Sequence, residues 1–208
     1  MEEAVARARL DVSHETLERL DAFVALLREE NAHQNLVSNS TLDQVWTRHI
    51  YDSAQLLRFA GKGNWIDLGT GAGFPGLIAA ALREDPTTLV EARKLRVEFL
   101  RRAARVLDAT DRTTIVCAKV EALPQRRYSV ISARAFAPLD KLLALGEKFS
   151  GDGTIWLLPK GRNAQTELDA ARASWQGDFR LEPSLTDPES RIIVASEVRR
   201  RAKGKRAR

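Results

Sequence analysis

Asp67-Leu68-Gly69-Thr70-Gly71-Ala72-Gly73-Phe74-Pro75-Gly76 decides the reading of this chain. The stretch ends a short apolar run over 64–68 and opens an amphipathic one over 75–83. A strand that turns through closely spaced glycines into a helix is a common way to build a nucleotide-type binding loop. Glycine permits the tight turn, and a backbone without Cβ atoms lets a ligand approach closely.

Two ligand patterns overlap in this loop. Gly71, Gly73 and Gly76 spell G-x-G-x-x-G, the dinucleotide pattern, whereas Gly69, Gly71 and Gly73 spell G-x-G-x-G, the pattern for S-adenosylmethionine. Asp67 stands where a pyrophosphate would lie and would repel it, but would attract the ammonium of a methionyl group. Pro75, at the first helical turn, lacks an N–H that a phosphate would use. Both features favour the sulfonium cofactor, and a glycine turn that binds nothing is the plain structural alternative. Glu91 ends the next candidate strand, where an acid can accept the ribose hydroxyls of a nucleoside. Val120 and Glu121 follow the third strand, where the adenine ring is expected.

Working outward, short apolar runs alternate with amphipathic stretches. Strands are expected over 64–68, 87–91, 113–117, 128–132, 154–158, 179–182 and 191–198, and helices over 75–83, 93–107, 138–149 and 163–175. Alternation of this kind implies right-handed crossovers and a mostly parallel sheet covered on both faces. The last two strands have only a Pro/Asp/Ser stretch between them and should form an antiparallel hairpin. The expected class is therefore α/β, with a seven-stranded Rossmann-like sheet of the methyltransferase plan. Residues 1–60 read as a helical cap. Leu17, Leu20, Val24 and Leu27 recur at helical spacing after a cap at Ser13, and Thr41 with Gln44 suggests a capping box for a second helix. The methyltransferase core is expected over 61–198, followed by a tail over 199–208.

Apolar residues make up 44% and charged residues 29% of the 208, a globular balance rather than a disordered one. No run of about 18 apolar residues exists to span a membrane, and the mixed charges of residues 1–10 do not resemble a signal peptide. A cytoplasmic protein is the expectation. The net charge of +5 belongs to the end of the chain: without residues 199–208, which hold seven Lys/Arg, 26 basic residues face 28 acidic ones. Arg199, Arg200 and Arg201 thus begin a candidate arm for RNA phosphates, with a solvated idle end as the alternative.

After the fourth strand comes Ser132-Ala133-Arg134-Ala135-Phe136. An acid or Asn followed by Pro-Pro and an aromatic, the pattern of exocyclic-amine methylases, is absent. The single cysteine, Cys117, which excludes a Cys-rich zinc site, falls on an apolar strand and reads as core rather than as a nucleophile. What remains is an acceptor with its own lone pair, such as guanine N7. Catalysis then reduces to alignment and electrostatics, with Arg134 as the candidate catalytic and cofactor-holding group.

The combination of Asn35-Leu36-Val37-Ser38, Arg48-His49-Ile50-Tyr51-Asp52-Ser53, the loop over 67–76, Arg96, Phe99 and Leu100, Arg134-Ala135-Phe136 and Lys160-Gly161 resembles the bacterial small-subunit ribosomal RNA guanine-N7 methyltransferase family, also called glucose-inhibited division protein B. The resemblance covers about residues 31–161. It implies methyl transfer from S-adenosylmethionine to N7 of guanine 527 in the 530 loop of 16S rRNA, as free RNA or in a small-subunit particle, by a cytoplasmic monomer. Carried over, the family's cofactor contacts fall on Gly69, Phe74, Val120, Glu121 and Arg134. The family often has Thr, Leu, Lys and Ser where Val37, Tyr51, Leu95 and Ala133 stand, and Asp where Glu91 stands. Asn35, Arg48 and Lys160 become candidate RNA contacts, whereas His49, on the apolar side of its helix, reads as a core histidine. Two other functions remain open at this point: a nicotinamide-dependent oxidoreductase, supported by the G-x-G-x-x-G spacing, and a non-enzymatic ribosome assembly factor that keeps the fold.

Overall fold

A computed structural model describes residues 2–202. Strands β1 (Trp65–Leu68), β2 (Thr87–Glu91), β3 (Thr113–Cys117), β4 (Val130–Ser132), β5 (Ile155–Lys160), β6 (Trp175–Pro183) and β7 (Arg191–Arg200) form one sheet in the order β3-β2-β1-β4-β5-β7-β6. The first five pair in parallel, and β7 runs antiparallel to both β5 and β6. The order reverses at β1, so a crevice opens at the carboxyl ends of β1 and β4, the usual ligand position in such sheets.

Why these residues make these layers follows from the pleat. Ile66 and Leu68 of β1 face one core, with Ile131, Trp156 and Leu158, covered by α7 (Leu139–Gly146) and α8 (Ala164–Ala171). The other face is covered by α5 (Gly76–Leu82) and α6 (Lys94–Val106), where Leu77, Ile78, Phe99 and Leu100 are buried. Helix α1 (Glu3–Ala8) precedes α2 (His14–Gln34), which is capped by Ser13 accepting from the Thr16 N–H. Leu20, Phe23, Val24 and Leu27 of α2 share the core of α5 and α6, so the helical front extends that layer.

The front departs from the expected single second helix. Ser38, not Thr41, precedes a one-turn α3 (Asn39–Leu42). The chain then winds as a π-helix over Trp46–Tyr51 and continues through α4 (Asp52–Ala54). Wide turns of this kind recur at functional sites. This one spreads the Arg-His-Ile-Tyr run, so that Trp46, His49 and Ile50 are buried while Arg48 stays partly open.

Three further expectations change. The helix expected over 163–175 stops at Ala171, and Trp175 instead starts β6, opposite Arg200. The β6–β7 pairing is long-range and overrides local helix propensity. Cys117 is exposed at the carboxyl end of β3, because β3 is the edge strand and only half covered. The expected tail does not begin at 199. Arg199 and Arg200 belong to β7; Arg200 reaches Glu147 at 3.1 Å and lies over the Trp175 ring, while Arg201 donates to the Arg172 and Trp175 carbonyls. The rest of that expected tail, 203–208, lies outside the described residues.

Candidate functional site

The glycine loop sits at the switch point, between the ends of β1 and β4. Gly69 and Gly71 have φ of +68° and +58°, a region costly for residues with a Cβ. A Cβ on Gly71 would meet only Arg96 Nη1 at 3.6 Å and the Gly69 carbonyl at 3.9 Å, so the backbone here is open to a ligand. A Cβ on Gly69 would fall 2.2 Å from the Phe136 ring, so the residue after Ala135 lies directly on the loop. Gly73 turns inward, against Leu77 and Leu100.

Glu91 ends β2 across the crevice. It is nearly buried, accepts from the Arg93 N–H at 2.8 Å, and stands 3.8 Å from Arg96 Nη1. Arg96 therefore spans from Gly71 to Glu91, a placement that spacing alone did not reveal. Val120 and Glu121 form a single 3₁₀ turn after β3. The Val120 side chain packs into the core and Glu121 is exposed.

One expectation about the loop itself is corrected. Asp67 does not face a ligand. Its side chain is fully buried on the Trp65 side of β1, because the strand alternates and Ile66 and Leu68 take the other face. One carboxylate oxygen accepts from Ser132 Oγ at 2.7 Å and the other from the Gly76 N–H at 3.0 Å. Burial pushes this carboxyl above its ordinary value, opposed by the Thr70 and Ser132 hydroxyls, the Gly76 N–H and the charge of Arg134. Phe74 is buried as well; its ring stacks on His49 at 4.9 Å and meets Phe23 edge-on at 5.7 Å, so any contact it makes to a cofactor falls to its backbone.

A second opening of about 850 Å³ adjoins the loop on the β4–β5 side. Arg134 lines it, under the helical front. Its guanidinium donates to the Arg48 carbonyl at 3.2 Å, stands 3.6 Å from Asp52, and lies 5.0 Å over the Phe74 ring. Burial pulls this guanidinium below its ordinary value, and Asp52 and Asp67 pull it back. Ala135, which follows, has φ of +50°, an unusual conformation for a residue with a Cβ, and backbone strain of this kind gathers at functional sites.

Two further cations of the cleft wall are ion-paired. Arg48 meets Asp187 at 2.9 Å, and Lys160 meets Glu167 at 2.9 Å while donating to the Ala137 carbonyl. The turn between β6 and β7 forms the far wall: Thr186 donates to Asp52 at 2.7 Å, and Gln55 holds Ser184 and Leu185. Asp52, Thr186 and Asp187 thus position the arginines; Asp52 was visible in the sequence only as part of a motif, and Thr186 and Asp187 did not stand out. Asn35 takes the left-handed position that ends α2 (φ +47°), exposed and outside the cleft wall. Its neighbour Asn31 is the organising residue, buried, accepting from the Val37 N–H and donating to Asn39.

His49 is the neutral hub of this wall. Thr41 Oγ1 donates to the Ser38 carbonyl, so it accepts from His49 Nε2 at 2.9 Å. Burial first, then Arg134 and Arg48, push the imidazole down to about 3.

The family model of GidB, rRNA small subunit methyltransferase G, matches residues 16–186. A protein of Rhizorhabdus wittichii named ribosomal RNA small subunit methyltransferase G is 52% identical, covering 100% of this chain and 99% of that protein. One of the same name from Zymomonas mobilis is 52% identical over 91% of this chain and 89% of its own length. Among solved structures, an O-methyltransferase of Bacillus cereus in complex with SAH superposes with a TM-score of 0.59 at 12% identity, over 85% of this chain and 91% of that one. A TehB-like SAM-dependent methyltransferase of Corynebacterium glutamicum gives 0.58 at 14%, over 81% and 97%. These two likenesses establish the Rossmann-like methyltransferase fold. Neither the family nor the structural matches support the nicotinamide reading. By its sequence from the helical front to the β6–β7 turn, the chain belongs to the rRNA small subunit methyltransferase G family.

Proposed function

We propose that the protein transfers a methyl group from S-adenosylmethionine to N7 of a guanine in small-subunit ribosomal RNA, acting in the bacterial cytoplasm as a monomer. The observation that carries the reading is the adjacency of a glycine loop, open at Gly71, and an arginine-lined cleft, with Arg134-Ala135-Phe136 between them.

The crevice fits the cofactor. The Gly71 backbone gives room for close approach, Glu91 ends β2 where ribose hydroxyls would be accepted, and the turn at Val120–Ala122 closes the end where adenine would lie. The bound cofactor would supply an electrophilic methyl on a positively charged sulfur. Guanine N7 already carries a lone pair, so no residue has to remove a proton before attack. What the protein contributes is alignment and a prearranged field.

Arg134 is the residue best placed to orient the base, by donating to its oxygen from a guanidinium already held by Asp52 and the Arg48 carbonyl. Methylation moves positive charge onto the base. Asp52 and Asp187, on the cleft wall, favour that charge at no cost in proton transfer. His49 stays neutral at working pH and adds no repelling cation. Arg48 and Lys160 are candidates to meet backbone phosphates by exchanging Asp187 and Glu167 for them.

Purified protein incubated with methyl-labelled S-adenosylmethionine and either naked small-subunit rRNA or isolated 30S particles tests this. Label should enter one guanine and become sensitive to the cleavage chemistry specific for N7-methylguanine. Label in another base, or none in either substrate, refutes it.

A further inference from the structure

Trp65, Ser132 and Asp67 form a buried chain that no part of the reaction above uses. The indole Nε1–H of Trp65 donates to Ser132 Oγ at 2.7 Å, and Ser132 Oγ donates to Asp67 Oδ1 at 2.7 Å. The other oxygen, Oδ2, accepts from the Gly76 N–H at 3.0 Å, where α5 begins. All three side chains are fully buried. The register of β1 and β4 makes the chain possible: Asp67 pairs with Ser132 across the parallel ladder, so both side chains stand on the same face.

The direction of the chain is set by chemistry. An indole N–H only donates. Ser132 must therefore accept from Trp65, and its single proton is left to point at Asp67. A carboxylate welcomes that proton, whereas a carboxylic acid whose own proton faced Ser132 would meet it head-on. Asp67 has no cation in contact among the described residues. The groups that face it are Ser132 of β4, Thr70 in the loop and the Gly76 N–H of α5, with Arg134 as a more distant charge and the apolar Leu89 approaching from β2. Charge-assisted hydrogen bonds are the strong ones, and a buried carboxylate without them is costly.

We infer that Ser132, oriented by Trp65, is a positioning residue of the cofactor loop: it holds the Asp67 carboxylate in the form that ties the end of β1 to the start of α5, and so fixes the backbone of Gly69–Gly73 for its ligand. Ser132 touches no ligand; it lies one strand away and acts through Asp67. It also joins the glycine loop to the segment that carries Arg134, two residues further on. The cofactor side and the acceptor side of the site are thus braced by a single hydroxyl. This inference rests on the cofactor reading above, and its test is arranged so that the two can fail separately.

The test uses the full-length wild type, Ser132→Ala, Ser132→Thr and Trp65→Phe. Two quantities are followed against pH: the dissociation constant of S-adenosylmethionine by calorimetry, and the Asp67 carboxyl by carbon-13 NMR in the ligand-free protein. In Ser132→Ala the Asp67 carboxyl should titrate at higher pH than in wild type. Cofactor affinity should fall several-fold on the acid side of the Asp67 titration measured in the variant and much less on its alkaline side, with an unchanged carbon-13 fingerprint elsewhere. Ser132→Thr, which keeps the hydroxyl, should restore the wild-type pH profile. Trp65→Phe, which frees the hydroxyl to rotate, should shift the titration the same way by a smaller amount. A Ser132→Ala titration and affinity profile that superpose on wild type would overturn the inference, as would a Ser132→Thr defect equal to that of Ser132→Ala. Failure of wild type to bind S-adenosylmethionine at any pH would instead reject the cofactor reading, while the NMR titration would still judge the chain of hydrogen bonds.

Discussion

Gly69→Ala is the substitution whose cost the structure sets most closely. Two terms contribute. The backbone at Gly69 has φ of +68°, and a residue with a Cβ held there loses about 1 kcal/mol or more. The added methyl would also lie 2.2 Å from the Phe136 ring, well inside contact, so the ring must leave its place. Displacing a half-buried phenyl forfeits part of the roughly 1.5–3 kcal/mol that its full burial is worth. Against both stands the stiffer unfolded chain of alanine, worth about 0.4–1 kcal/mol. The net expectation is a loss of about 2 kcal/mol, which for a domain of this size is a melting shift of roughly 4–8 °C. Urea denaturation of wild type, Gly69→Ala, Phe136→Ala and the double variant closes a thermodynamic cycle. With the phenyl gone, only the backbone term should remain, so Gly69→Ala should cost about half as much in the Phe136→Ala background. Equal costs in both backgrounds would show that Phe136 does not rest on Gly69, and no cost at all would refute the loop geometry.

Three further outcomes follow from the same geometry. His49 titrates near 6.5 in an unfolded chain and at about 3 when folded. The stability it contributes is therefore complete above pH 6.5 and is lost as pH falls toward 3, at up to about 1.4 kcal/mol per pH unit; His49→Phe should flatten that acid limb in urea titrations at stepped pH, and parallel slopes would contradict the burial of a neutral ring. Asp187→Asn releases Arg48 and should tighten binding of a small-subunit rRNA fragment several-fold in filter-binding assays, an effect that should vanish in the Arg48→Ala background; persistence there would mean a general charge effect and no phosphate bound by Arg48. Deletion of 203–208, which carry four Lys/Arg, should leave the melting temperature unchanged and flatten the log–log salt dependence of RNA binding by about 0.7–0.9 for each phosphate no longer neutralised; an unchanged slope would mean that this end is idle.

The parts of the fold that were legible in the sequence are those set by local pattern. Strands β2 and β3 fall on 87–91 and 113–117 as the apolar runs predict, and the loop between β1 and α5 was readable because glycine at Gly69, Gly71 and Gly73 has few other uses at that spacing. Interactions distant in the chain were not legible. Trp175 looks like the end of a helix until β7 pairs with it, and Arg199 and Arg200 look like a tail until the same ladder takes them. Asp67 was placed correctly along the chain but turned the wrong way. A strand buried on both faces gives no alternation from which to read direction. Arg134 was readable as a residue beside the site, but its partner Asp52 and the Thr186 behind it come from segments 82 and 52 residues away in sequence. His49 was read as a core residue, and its near-complete burial against Phe74 agrees.

Methylation of one ring nitrogen of one ribosomal guanine, proposed above, is tested by mass spectrometry of RNase fragments of 16S rRNA from cells with and without the protein. A single fragment should be lighter by one methyl group when the protein is absent, with the missing methyl at guanine N7 and restored by the wild type but not by Arg134→Ala. An identical fragment pattern in both cells, or restoration by the Arg134→Ala variant at the wild-type level, would contradict it.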